Sequence, residues 1–165
     1  AQAGRFVLNG APVDPTHATY RQQVFWTDMR SEAFEQITPL AYFAALRPRY
    51  PNWDDAAVAL MAEGLSLTPH LNKPIYMLST GSKRKVWLTA ALVAGAALTF
   101  IDEPFAALDK PSIQFLSTRL SEAAHCATHA WVLADYAAPG GVPLAAHIDL
   151  QDGGVGALGS REALR

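Results

Sequence analysis

The run Leu78-Ser79-Thr80-Gly81-Ser82-Lys83-Arg84-Lys85 sets a hydroxyl, further small residues and a glycine ahead of a long apolar stretch. A hydroxyl at a helix N-cap, followed by a glycine in the first turn, leaves backbone N–H groups free at the positive end of the helix dipole. That is a ready site for an anion. The same residues also read as an ordinary capped helix start with a solvated basic turn at Lys83, Arg84 and Lys85. A second run, Leu98-Thr99-Phe100-Ile101-Asp102-Glu103-Pro104, is an apolar strand that ends abruptly in two carboxylates. In open α/β folds ligands bind outside the carboxyl edge of the sheet, where these two acids would stand. One carboxylate there can hold a hydrated Mg²⁺ while its neighbour polarises a water for attack on a phosphoryl group. A strand-end pair facing solvent or capping a helix is the other reading.

Placing both runs requires helices and strands in alternation. The pattern predicts a helix over 80–94, a strand over 97–101 beyond a break at Gly95, a helix over 111–124 and a strand over 130–134, with a last short strand near Ile148. Upstream, Gly4 to Pro12 reads as strand with a tight turn at Asn9-Gly10, and Val24-Phe25-Trp26 as a second extended piece. Thr38-Pro39 offers an N-cap and a first-turn proline for a helix to about Leu46, which Arg47-Pro48 stops. Asn52 can cap the next helix, with Asp54 and Asp55 in its first turn and Gly64 past its end. Pro69 and Pro74 make a loop of Leu65 to Met77, and Asp109 can cap a helix whose buried stripe is Ile113, Leu116 and Leu120. Helices alternating with apolar strands predict an α/β fold with a helix-covered parallel sheet.

Composition bounds the function. The chain has 165 residues, 50% apolar and 17% charged, with 13 Lys and Arg against 15 Asp and Glu and a net charge of −2, which describes one globular domain over 1–165. Without a basic block there is no electrostatic footprint for nucleic acid or an anionic membrane surface, so no nucleic-acid partner is expected. The single cysteine, Cys126, cannot form an internal disulfide, which fits a reducing compartment, and no export leader opens the chain. The uncharged run from Val86 to Ile101 is about 16 residues, short of the ~18–20 that a membrane span needs.

Taken in order, Leu78-Ser79-Thr80-Gly81-Ser82, then Leu98 to Pro104, then Ala106-Ala107-Leu108-Asp109 resemble the signature motif, Walker B strand and D-loop of ATP-binding cassette ATPases, the motor subunits of ABC transporters. The resemblance spans about residues 4 to 160. Gly4 to Gly10 is similar to the strand and turn after the family's first helix, and Thr38-Pro39-Leu40 to the entry of its helical subdomain. It implies a P-loop NTPase-like parallel sheet covered by helices, with an N-terminal antiparallel β segment and an inserted helical subdomain over about 38–94. It implies ATP and Mg²⁺ as cofactors, and ATP hydrolysis by a head-to-tail dimer coupled to transport. The implied partners are a second cassette subunit and a transmembrane subunit that holds the protein, itself cytoplasmic, at the inner face of the membrane. Ser79, Thr80, Gly81 and Ser82 would meet the γ-phosphate of a nucleotide held by the opposite subunit. Asp102 would bind Mg²⁺, Glu103 would act as general base, and Asp109 would link the two sites.

Departures from the family pattern are informative as well. No G-x-x-x-x-G-K-[ST] loop occurs in the 165 residues. In the family that loop precedes the position where this sequence begins, so a longer polypeptide is expected, with residues 1–165 inactive alone and one sheet edge unpaired. Ser82 replaces the glutamine that usually ends the signature motif, and Asp28 falls near the expected Q-loop glutamine. Asp135, in Ala134-Asp135-Tyr136, takes the place of the switch histidine in the nucleotide site, and a carboxylate cannot donate the hydrogen bond that histidine gives to a phosphate. A catalytically silent cassette acting as an interaction or regulatory module is therefore the second reading.

Two further patterns carry less. Gly154 to Gly159 matches G-x-G-x-x-G, but only about six residues come after it, too few for the helix and strand of a dinucleotide site. His125, Cys126 and His129 have the spacing of a metal clip but no fourth ligand nearby, and a helix-to-strand connection explains them better.

Overall fold

The computed structural model describes residues 7, 8, 10–28 and 31–150, and the backbone of 151, 154, 155, 159 and 160. Strands β1 (Val7–Leu8) and β2 (Ala11–Pro12) pair antiparallel around Gly10, whose φ of 77° is a conformation open to glycine. The expected turn residue Asn9 lies outside the described residues, as do residues 4–6 and, in the G-x-G-x-x-G stretch, residues 156–158. A short helix α1 (Ala18–Gln23), which the sequence does not predict, precedes β3 (Val24–Phe25). Trp26 stands outside that strand and is 60% exposed.

Among the described residues three α-helices separate β3 from the next strand, with 3-10 turns at Arg47–Arg49 and, in the expected loop of 65–77, at Thr68–His70 and Ile75–Met77. Helix α2 (Pro39–Leu46) starts as its sequence predicts, with the Thr38 hydroxyl accepting the Ala41 N–H at 3.2 Å and proline in the first turn. Helix α3 (Asp55–Gly64) is capped by Asp54 rather than Asn52. The Asp54 carboxylate accepts the Ala57 N–H at 3.0 Å, while the Asn52 amide donates instead to the Gly95 carbonyl at 3.4 Å. Gly64 is the last residue of α3, not a stop beyond it. A Cβ there would run into the Phe115 ring, so the glycine serves a close helix approach. Helix α4 (Thr80–Val93) buries Val86, Trp87, Leu88, Ala90, Ala91 and Val93 and forms the centre of the core. Gly95 comes next with φ 59°, in the left-handed position expected at a helix end.

Strand β4 (Leu98–Asp102) is the middle of a parallel sheet of order β3-β4-β5, with helix α5 (Lys110–Ala123) crossing to β5 (Ala130–Ala134). The register sets Val24 against Leu98, Leu98 against Ala130, and Asp102 against Ala134. On α5 the buried positions are Ser112, Leu116 and Leu120, an i, i+4, i+8 row, with Ile113 half-buried at its flank rather than on it. Ser112 is tolerated there because its hydroxyl donates to the Leu65 carbonyl at 3.1 Å. In β5, Ala130, Val132 and Ala134 are exposed and Trp131 and Leu133 only half-buried, so the strand carries apolar residues at an open edge of the sheet. Short pairs β6 (Ala146–His147) with β9 (Gly159–Ser160), and β7 (Leu150–Gln151) with β8 (Gly154–Val155), complete the fold. Among the described residues no helix is long and apolar enough to cross a membrane.

Candidate functional site

At the carboxyl end of β4, Asp102 is the last ladder residue and Glu103 turns the chain away from the sheet with φ 46°. The Glu103 N–H donates to the Ala134 carbonyl at 2.7 Å, which brings Asp135 off the neighbouring strand at the same edge. Three predicted site residues, Asp102, Glu103 and Asp135, are thus gathered at one end of a parallel sheet. Asp135 there accepts the Tyr136 N–H at 2.8 Å. Beyond Glu103 the chain makes two tight turns, Ala106 N–H to the Glu103 carbonyl at 3.2 Å and Leu108 N–H to the Phe105 carbonyl at 3.3 Å, with Ala107 at φ 58°.

Ser79 caps α4. Its hydroxyl oxygen accepts the Ser82 N–H at 3.2 Å and donates to the Ser82 hydroxyl at 3.0 Å. Ser79 and Thr80 are exposed, with the first-turn N–H groups beside them. Gly81 is fitted to a neighbour in its own chain, because a Cβ there would run into the Ala107 carbonyl.

The basic residues Lys83, Arg84 and Lys85 are not a solvated turn. Lys83 pairs with Glu35. Arg84 Nη1 donates to the Asp102 carbonyl at 3.2 Å and to the Glu103 carbonyl, and Nη2 lies 3.9 Å from the Glu103 carboxylate. Lys85 is buried, with Nζ 2.6 Å from Asp109 Oδ2, while Asp109 Oδ1 accepts the Ser112 N–H at 2.9 Å and caps α5. The Lys85 ammonium foremost, then Ser112, holds the Asp109 carboxyl down at about 2. Gly81, Arg84 and Lys85 therefore grip the 103–109 loop at its middle, start and end. Their i, i+3, i+4 spacing puts them on one helix face. That spacing was the available signal for Arg84 and Lys85, to which the motifs alone assign no role.

The donors at this edge are hard carboxylate oxygens. Among the described residues no group of three or more His, Cys, Asp and Glu is placed to hold a metal by itself. Carboxylate oxygens are the donor type that Mg²⁺ takes, one or two of them together with water and phosphate oxygens. Away from this edge, Asp28 lines a cleft of about 670 Å³ with Trp26, Phe34, Tyr42 and Tyr50. Cys126 Sγ lies 3.3 Å from the Thr128 hydroxyl and 3.2 Å from His129 Nδ1, contacts that bring its thiol down to about 6.

The sequence model of the ABC transporter family matches residues 1–106. The chain belongs to the ABC transporter family. This ABC chain is 30% identical over 124 residues to the cytochrome c biogenesis ATP-binding export protein CcmA of Pseudomonas savastanoi pv. phaseolicola, covering 75% of this chain and 57% of that protein. It is 32% identical over 128 residues to CcmA of Pseudomonas syringae pv. syringae, covering 75% of this chain and 58% of that protein. The chain thus spans less than two thirds of the length of these relatives. Among solved structures, an ATP-binding subunit of an ABC transporter superposes with a TM-score of 0.78 at 23% identity, over 93% of this chain and 65% of the other. A dimeric ATP-binding cassette in a post-hydrolysis state with ADP and Pi superposes with a TM-score of 0.75 at 16% identity, over 98% of this chain and 75% of the other. At those identities the superpositions establish the ABC fold.

Proposed function

We propose that the complete polypeptide containing these residues is the ATP-hydrolysing subunit of an ABC transporter. It works as a head-to-tail dimer on a transmembrane subunit at the inner face of the membrane. The observation that carries this reading is the placing of Asp102 and Glu103 at the carboxyl end of the middle parallel strand, gripped by the helix that begins at Ser79. Asp102 would hold Mg²⁺, which would supply charge neutralisation on the phosphates. Glu103 orients the attacking water and accepts its proton as the new O–P bond to the γ-phosphorus forms and the bond to the bridging oxygen breaks, with ADP as the leaving group. Ser79, Thr80, Gly81 and Ser82, within the helical subdomain over about 38–94, offer hydroxyls and the first-turn N–H groups that the Ser79 cap leaves free to the γ-phosphate of the opposing subunit. Asp109 stands at the far end of the same loop, where the two sites would meet. Steady-state hydrolysis by the complete polypeptide, beside Mg²⁺-dependent nucleotide binding by Asp102→Asn, tests it. Turnover by the parent and weakened Mg²⁺-dependent binding in the variant are expected, and a parent without turnover overturns the reading.

Asp135 favours a second reading, a silent cassette with an interaction or regulatory role. Asp135 follows Ala134, whose carbonyl accepts the Glu103 N–H, and a carboxylate near the site would only accept where a hydrogen-bond donor to phosphate would serve turnover. Nucleotide binding without hydrolysis by the complete polypeptide is the outcome that selects it.

A further inference from the structure

The Glu103 backbone sits at φ 46°, a region that residues with a Cβ disfavour, so something outside the turn must hold it there. The Glu103 carbonyl accepts from Ala106 at 3.2 Å, within the turn itself. From outside it, Arg84 reaches across from α4. One guanidinium nitrogen donates to both the Asp102 and Glu103 carbonyls, and the other lies 3.9 Å from Glu103 Oε2. The Arg84 side chain is only 14% exposed, and among the described residues its buried Nε has no hydrogen-bond partner, while both of its terminal nitrogens face this turn. A planar, permanently charged fork presents donors to two successive carbonyls and a carboxylate in one fixed geometry, whereas an ammonium is a compact point charge on a flexible stem.

Resting on the functional reading above, we propose that Arg84 is the positioning residue for Glu103: it fixes the left-handed turn and with it the place of the carboxylate relative to the attacking water. Arg84 stands one helical turn beyond Gly81, whose missing Cβ admits the Ala107 carbonyl, so the helix that carries Ser79 and the loop that carries Glu103 move together. A shift of the helix start is then also a shift of the carboxylate.

The test compares the complete polypeptide with its Arg84→Met and Arg84→Lys variants by hydrogen–deuterium exchange and steady-state ATP hydrolysis. In Arg84→Met, exchange over 103–108 rises about tenfold or more while exchange over 113–120 in α5 stays at the parental rate. The kcat falls about tenfold to a hundredfold, as misplacement of a reacting group does, with KM for ATP held within about twofold. Arg84→Lys, which keeps the charge but loses the planar fork, lies between the two. Parental exchange over 103–108 in Arg84→Met overturns the proposal. So does an equal rise throughout α5, which makes Arg84 a general stabiliser, and so does raised exchange with parental kcat. A parent that hydrolyses no ATP contradicts the functional reading instead, and exchange over 103–108 alone then decides whether Arg84 holds the turn.

Discussion

Lys85 Nζ lies 2.6 Å from the Asp109 carboxylate, and the lysine side chain is 8% exposed whereas the aspartate's is 52% exposed. A buried ammonium needs its partner more than a half-exposed carboxylate does. Asp109 does two jobs at once: it neutralises Lys85 and it caps α5 through the Ser112 N–H.

Asp109→Ala removes both, and is expected to destabilise the protein by about 1–3 kcal/mol in denaturant unfolding at neutral pH. Asp109→Asn keeps an oxygen for the cap and loses less. The Asp109 carboxyl is held at about 2 against an ordinary 3.8, so its contribution is complete above the ordinary value and disappears as pH falls through about 2. Urea midpoints measured down through that window should decline for the parent, with a smaller decline in Asp109→Asn. Equal slopes for the two proteins would show that the pair contributes nothing.

Gly81 makes a prediction in which two effects oppose. Alanine in place of a helical glycine gains up to about 1 kcal/mol of helix propensity at an unconstrained site. Here its Cβ meets the Ala107 carbonyl, and overpacking costs about 1–3 kcal/mol. Gly81→Ala is therefore expected to lower stability without any nucleotide present, and a raised thermal midpoint would contradict the contact. The same clash bears on any larger residue at position 81.

Cys126 is exposed, and hydrogen bonds from Thr128 foremost and then His129 bring its thiol down to about 6 from 9.0. The thiolate is the nucleophile, so the pH profile of alkylation by iodoacetamide should have its midpoint at about 6. In His129→Ala the midpoint should move up toward the ordinary thiol range, to which the parent's midpoint would already belong if the contacts were absent.

Much of the site was legible because it rests on local rules. Ser79 and Thr38 are caps recognisable from their own residue types and from the small residue or proline next to them, and the alternation of apolar strand and helix from Thr80 to Ala134 carries the parallel sheet. The features that were not legible depend on tertiary partners. Arg84 and Lys85 look like solvent-facing charges until the 103–109 loop is laid against α4, and Asn52 looks like a cap until Gly95 takes its amide. Helix α1 lies among polar residues, with a His17 cap at 3.4 Å and no buried side chain, so no periodic pattern announces it. Ser112 in place of Ile113 on the buried row is explained by the Leu65 carbonyl, which a hydropathy reading cannot see.

Whether Glu103 acts on the attacking water comes down to one rate, the steady-state kcat for ATP of the complete polypeptide carrying Glu103→Gln. Glutamine keeps the size and the turn but cannot accept the proton, so kcat is predicted to fall by on the order of a hundredfold or more. Nucleotide affinity should stay within about threefold of the parent, since the loss is confined to the transition state. A kcat at the parental level, or a loss in affinity that matches the loss in kcat, contradicts the role assigned to Glu103.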